Sequence, residues 1–118
     1  DYRDEHAFPS AMPDRVQVLA GPGVDVVIYT DTHPNMFVEA ATWLGEPVYD
    51  IQPYEDPEGP IVVAECRRIF DRPLPRRLCH IAINLQLPRG THVEAWTSDG
   101  GTVRAGSPDI TLTLNGGA

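Results

Sequence analysis

His80-Ile81-Ala82-Ile83-Asn84-Leu85-Gln86-Leu87 alternates without a break: Ile81, Ile83, Leu85 and Leu87 fall on one side of an extended chain, and His80, Ala82, Asn84 and Gln86 on the other. Side chains along a strand point to its two faces in turn, so this run is a strand with one face in a core and one wet or lightly covered. Pro88-Arg89-Gly90 turns the chain and Thr91 to Thr97 returns. Read as a three-residue hairpin loop, the turn sets Leu87 opposite Thr91, Leu85 opposite Val93 and Ile83 opposite Ala95, so both apolar sets share a face. His92 then lies opposite Gln86. Trp96 falls on the polar face opposite Ala82, beside Glu94 and Asn84. Ser98-Asp99-Gly100-Gly101 carries the Asp-Gly of a tight hairpin before the short strand Thr102 to Ala105. After a Gly106-Ser107-Pro108-Asp109 turn, Ile110 to Leu114 alternates with Thr111 and Thr113.

The upstream half reads the same way. Val16 to Leu19 is a first strand ended by Gly21-Pro22-Gly23, and Val24 to Thr30 is β-branched and aromatic. Met36 to Leu44 fits two periods. Phe37, Ala41 and Leu44 would line a helix face, whereas Met36, Val38, Ala40, Thr42 and Leu44 alternate; the strand is favoured because ten residues between Pro34 and Gly45 make a marginal helix. Residues 46–60 hold four prolines and five acids and form a surface loop, with a short strand near Val48 to Ile51; Ile61 to Cys66 is another strand. Twelve prolines and ten glycines leave little room for long helices. The fold class is therefore all-β: a short-strand β-sandwich or β-solenoid-like domain with at most one short helix. Residues 1–13 are expected to be a polar N-terminal tail, and 14–118 a single β domain.

Composition sets outer bounds. With 118 residues there is room for one core, and a hydrophobic fraction of 42% suits a folded domain. No apolar run approaches the roughly 18 residues of a membrane-spanning helix. The start Asp1-Tyr2-Arg3-Asp4-Glu5-His6 holds no signal-peptide core, so any export signal or anchor is expected outside this sequence. All nine basic residues are Arg, as a high-GC bacterial genome would produce, and the net charge of −8 speaks against nucleic acid as a partner. Five of the nine lie in one stretch: Arg67, Arg68, Arg72, Arg76 and Arg77; the run from Glu46 to Glu58 has five carboxylates and no base. Cys66 and Cys79 bracket the Arg stretch at a spacing that fits no zinc or Cys-x-x-Cys pattern. They are two buried thiols or a disulfide. The disulfide is favoured because an Arg- and Pro-rich loop holds itself in place poorly, and closing it stabilises the fold by about 3 kcal/mol.

Little in the chain carries chemistry. In the hairpin register His80 and His92 stand about 20 Å apart, too far to share a metal, while His6 lies in the tail and His33 in a turn. Ser10, Ser98 and Ser107 lie in turns outside any Gly-x-Ser-x-Gly elbow. Asp50, Glu55, Asp56 and Glu58 could pair for glycoside hydrolysis, but acids on a Pro-rich loop are usually just solvated. No Gly-rich loop opens a helix to hold a nucleotide. The expectation is a protein that is not an enzyme, with no cofactor and no metal site.

The stretch Ile81-Ala82-Ile83-Asn84-Leu85-Gln86-Leu87-Pro88, then residues 89–105 (RGTHVEAWTSDGGTVRA) and 109–117 (DITLTLNGG), resembles the bacterial putative-adhesin domains, a family of extracytoplasmic β-solenoid-like modules. Family members from high-GC Gram-positive bacteria are similar in carrying a Cys pair just before this strand, which corresponds to Cys66 and Cys79. This chain departs from the family in length, since members usually carry several more rungs. The resemblance implies an extracytoplasmic, secreted or membrane-anchored recognition or sensory module and brings no catalytic residues. Its partner would be another envelope protein or, alternatively, a carbohydrate or anionic wall polymer. Arg67, Arg68, Arg72, Arg76, Arg77 and Trp96 are the candidate contact residues, with Arg side chains suited to carboxylate and phosphate and Trp96 to a sugar ring or a protein anchor. An open strand edge would also invite self-association.

Overall fold

A computed structural model describes residues 2–8, 14–52, 59–67 and 75–115. Ten strands run in order: β1 (Tyr2–Ala7), β2 (Arg15–Ala20), β3 (Val24–Thr30), β4 (Asn35–Thr42), β5 (Glu46–Gln52), β6 (Ile61–Arg67), β7 (Cys79–Leu87), β8 (His92–Thr97), β9 (Thr102–Ala105) and β10 (Thr111–Asn115). They form two five-stranded sheets, one ordered β1-β4-β7-β3-β9 and the other β10-β8-β2-β6-β5. No helix occurs among the described residues, so the all-β, sandwich-like architecture stands. Residues 36–42 are strand, because the alternating set Met36, Val38 and Ala40 is the one that is buried.

The sheets pack their inner faces together. Ile81, Ile83, Leu85 and Leu87 of β7 are all at most 2% exposed, and they meet Val16 and Val18 of β2, Val62 of β6 and Val93 of β8 in one core. Each such side chain taken from water contributes about 1.5–3 kcal/mol. The alternation of β7 therefore does what its sequence implies.

Its pairing does not. Pro88-Arg89-Gly90 carries the chain from the first sheet to the second, so β7 lies between β4 and β3, and β8 between β10 and β2. The hairpin register linking Leu85 with Val93 is replaced by Ile83 opposite Val38 and Val26, and by Ala95 opposite Val18 and Leu114. Trp96 consequently stands opposite Leu19 and Asn115, on the outer face of the second sheet, and not opposite Ala82. The Asp-Gly turn forms, with positive φ at Asp99 and Gly100 and Gly101 N–H donating to Ser98 C=O at 3.0 Å, yet it too joins opposite sheets. The physical reason is parallel pairing. Five of the eight strand pairs are parallel. Two-residue turns cannot join parallel neighbours, so the chain crosses between sheets and comes back. Residues 2–7, expected in a tail, add β1 to the edge of the first sheet through β4.

Four crossings meet at one end of the sandwich: Trp43-Leu44-Gly45 (β4 to β5), the two described ends of the Cys66–Cys79 connection (β6 to β7), Gly21-Pro22-Gly23 (β2 to β3) and Ser98 to Gly101 (β8 to β9). Backbone bonds stitch them side by side. Trp43 N–H donates to Leu78 C=O at 2.7 Å, Cys66 N–H to Pro22 C=O at 2.8 Å, and Ser98 N–H to Ala20 C=O at 3.1 Å. Cys66 and Cys79 are joined in a disulfide with no exposed surface. Gly23, at φ +78, lies against it: a Cβ there would come 2.7 Å from Cys66 Sγ and 2.9 Å from the Cys79 carbonyl oxygen.

Two stability measurements follow. Gly23→Ala is expected to cost about 2–4 kcal/mol in urea denaturation, adding a clash to the left-handed backbone penalty. Gly90→Ala, at φ +84 with open space around it, should cost only about 1 kcal/mol. The Cys66→Ala/Cys79→Ala double variant should lose about 3 kcal/mol, and the unreduced wild type should weigh two hydrogens less than its reduced form.

Candidate recognition surface

The Arg stretch leaves β6 and rejoins β7 across the disulfide, so its ends are pinned at the corner end of the sandwich. Arg68 and Arg72 lie outside the described residues, as do Ser10, Glu55, Asp56 and Glu58. The other three arginines separate by environment. Arg67 reaches Glu46 at 3.7 Å, a pair exposed on both sides. Arg76 is bound on two sides: its Nη1 lies 2.5 Å from Asp25 Oδ2, and its Nη2 donates to the Gly100 carbonyl at 2.5 Å. Arg77 is exposed. Arg67, Arg76 and Arg77 are thus not one uniform patch; Arg76 ties the loop to β3 and to the β8–β9 corner, and Arg77 is exposed.

Asp25 is the centre of this tie. His80 Nε2 lies 2.8 Å from Asp25 Oδ2, and the Thr102 hydroxyl donates to Oδ1 at 2.5 Å. Sheet register explains the meeting, since Asp25 faces Ala82 on β7 and Thr102 on β9, while His80 is one outward position along β7. Burial pushes the Asp25 carboxyl up, but the hydrogen bonds from Thr102 and His80 and the Arg76 charge outweigh it and hold the group below the usual carboxylate value. A His–Asp pair can orient a catalytic base, but the Thr102 hydroxyl is taken up by the same carboxylate.

The other histidines are dispersed. His6 lies 3.0 Å from Asp4 and edge-on to Tyr49, His33 bonds Thr32 at 3.0 Å, and His92 is 3.4 Å from the Thr113 hydroxyl. Among the described residues no group of three His, Cys, Asp or Glu is placed to hold a metal ion.

Trp96 is half-buried in a row with Leu19 and Val63 on the outer face of the second sheet. Together with Val48 and Glu65 these side chains line a groove of about 300 Å³. The most exposed large apolar side chain among the described residues is another one. Trp43 is 87% exposed at the β4–β5 corner, followed by Leu44 at 43%. Its backbone is fixed, because both N–H groups donate to Leu78 C=O, the residue after Arg77. Sequence reasoning passed over Trp43 by absorbing it into the strand. The signal was present: the inward set Met36, Val38, Ala40 puts Trp43 on the outward phase, just before Gly45.

No family model and no curated protein matches the chain. Among solved structures, the crystal structure of a putative cell adhesion protein from Clostridium sporogenes is similar, with a TM-score of 0.58 at 8% identity. The match covers 98% of this chain, which spans 58% of the length of that one. At this identity the likeness is one of fold, and it agrees with the adhesin-like fold implied by the resemblance at residues 81–117.

The division among the arginines is measurable. Arg76→Ala should lower the melting temperature, with a cost of about 1 kcal/mol after allowing for solvent screening of a half-exposed pair, whereas Arg77→Ala should leave it unchanged. Because the Asp25 pKa is depressed in the fold, its stabilisation is present above about pH 4 and is lost as pH falls through the folded value. Asp25→Asn should therefore be less stable than wild type at neutral pH, and the difference should shrink on acidification to about pH 3.

Proposed function

We propose that this chain is a non-catalytic recognition domain working outside the cytoplasm, and that it binds an acidic face of another envelope protein through its corner end. The observation that carries this reading is Trp43, 87% exposed on a fixed backbone next to the disulfide-pinned loop that holds Arg77. Trp and Arg are the residues most often found at the energetic centre of interfaces, and a guanidinium meets carboxylates in a bidentate geometry. The rest of the chain supports an acidic partner by contrast. With a net charge of −8, most of the surface repels such a partner, and the arginine-bearing end is where it is steered.

The location is supported by the Cys66–Cys79 disulfide, a bond that persists in oxidising compartments, and by the fold's likeness to that of a putative cell adhesion protein. The absence of catalysis is supported by the way His80, Thr102 and Arg76 all engage Asp25. An anionic wall polymer is the second reading, because phosphate and carboxylate groups would meet the same guanidiniums.

Immobilised wild type, Trp43→Ala and Arg77→Glu distinguish the two when presented with envelope proteins and with purified wall polymer. Each substitution should weaken capture of the protein partner by about tenfold or more, in a salt-dependent manner, without changing the melting temperature. Capture of wall polymer that depends on Arg77 but not on Trp43 favours the second reading. Equal capture by all three proteins overturns both.

A further inference from the structure

The outer face of the first sheet carries a groove that is separate from the Trp96 row and meets the corner end only at Asp25. Register builds it: Phe37, Asn84 and Val27 lie side by side on β4, β7 and β3, with Ala82 in the row on one side and Gln86 and Tyr29 in the row on the other. Ala82 has a methyl group where its neighbours carry long side chains, so the face is hollowed there. The groove holds about 610 Å³. That lies within the roughly 300–1,000 Å³ of small-ligand sites.

The carboxylates along it are already engaged, Asp4 by His6 and the Tyr49 hydroxyl among them. Arg3 pairs with Glu39 at 3.2 Å, Asp25 is held by Arg76, His80 and Thr102, and Glu5 accepts from the Asn35 amide. The unmet hydrogen-bonding capacity is uncharged. Asn84 Oδ1 is buried and has no hydrogen-bond partner. A buried acceptor without a donor is destabilising, and a half-turn of the amide exchanges its oxygen and nitrogen, putting the acceptor where the amide nitrogen now stands. Gln86 supplies a second amide in the adjacent row.

The aromatic side chains are placed to complement those amides. Tyr29 is 37% exposed, and its ring sits over Gly106, where a Cβ would come within 2.6 Å of it. The ring is therefore seated on bare backbone. Phe37 stands two strands away, about 10 Å across the sheet.

We propose that this face binds a neutral oligosaccharide, with sugar rings stacked on Tyr29 and Phe37 and hydroxyls bonded to the Asn84 and Gln86 amides between them. A sugar ring offers an apolar C–H face to an aromatic ring and hydroxyls that both donate and accept, which is the combination these four side chains leave open. A cationic ligand would have to compete with the existing partners of Asp4, Asp25 and Glu39, and the open polar groups between the two rings are amides, so the fit is to an uncharged glycan. The proposal is independent of the corner-end reading, because it shares none of its contact residues.

The test is titration of the full chain with neutral hexasaccharides of glucose, N-acetylglucosamine, xylose and mannose, followed by saturation-transfer NMR and calorimetry. At least one should bind with a Kd below about 1 mM. Tyr29→Ala and Asn84→Ala should each weaken that binding about tenfold, while Tyr29→Phe, Trp43→Ala and Trp96→Ala retain it. Asn84→Ala should keep a melting temperature at or above that of wild type, since it removes an unpartnered group, and this separates lost affinity from lost folding. Failure of all four sugars to bind overturns the proposal. So does binding that survives both Tyr29→Ala and Asn84→Ala, or an uncharged peptide that displaces the sugar from the groove and binds more tightly.

Discussion

At the β2–β3 corner the backbone passes so close to the Cys66–Cys79 sulfurs that only glycine fits at position 23. Much of the architecture hangs on that contact. Parallel neighbours such as β2 and β6, or β3 and β7, need a connection that leaves one sheet and enters the other. Every such crossing brings backbone polar groups to the end of the sandwich, where they must be paired. The corners meet this need by bonding to one another: Cys66 N–H to Pro22 C=O, Ile81 N–H to Gly23 C=O and Ser98 N–H to Ala20 C=O. Gly101 belongs to the same arrangement, since a Cβ there would run into the carbonyl oxygens of Ala20 and Gly21. Small residues at the corners are what allow neighbouring crossings to stack.

The same stacking decides what the charges do. Corners that pack backbone to backbone bring Asp25, His80, Thr102 and Arg76 together, although Arg76 is 51 positions from Asp25 in the chain. A cluster that looks in sequence like a run of repelling guanidiniums is divided by this geometry. One member is a tie between the loop, β3 and the β8–β9 corner, and another, Arg77, is exposed next to Leu78, whose carbonyl holds the Trp43 corner. Adjacent residues thus differ in what they touch: Arg76, although 43% exposed, bonds Asp25 and Gly100, and Arg77 is exposed.

Both outer faces carry apolar side chains, and both owe this to strands that lie in the middle of their sheets. Leu19 on β2 and Ala82 on β7 are flanked by neighbouring strands on each side, so their outward side chains sit in shallow troughs. The surroundings differ. Trp96, Val63 and Val48 make the trough over β2 a hydrocarbon surface with Glu65 at its margin, while Asn84 and Gln86 put amides in the trough over β7.

Strand positions, inward faces and turn chemistry were legible in the sequence by itself, because they depend on alternation and on local backbone preference. Residues 16–19, 24–30, 61–66 and 80–87 read correctly as strand, 36–44 and 110–114 overrun β4 at its end and β10 at its start, and Asp99-Gly100 read correctly as a tight turn. The Arg cluster and its bracketing cysteines were legible for the same local reason. Only the tertiary structure decided which strands pair. A strand's alternation is satisfied equally by a hairpin partner or by a parallel partner from far along the chain, so Val93 could be paired on paper with Leu85 when the fold pairs it with Val16 and Leu112. Everything that rests on pairing was decided there as well: β1 in place of a tail, the neighbours of Trp96, the Asp25 tie and the exposure of Trp43. Periodicity specifies which face a side chain is on, whereas the burial of all the inward faces at once specifies what lies opposite.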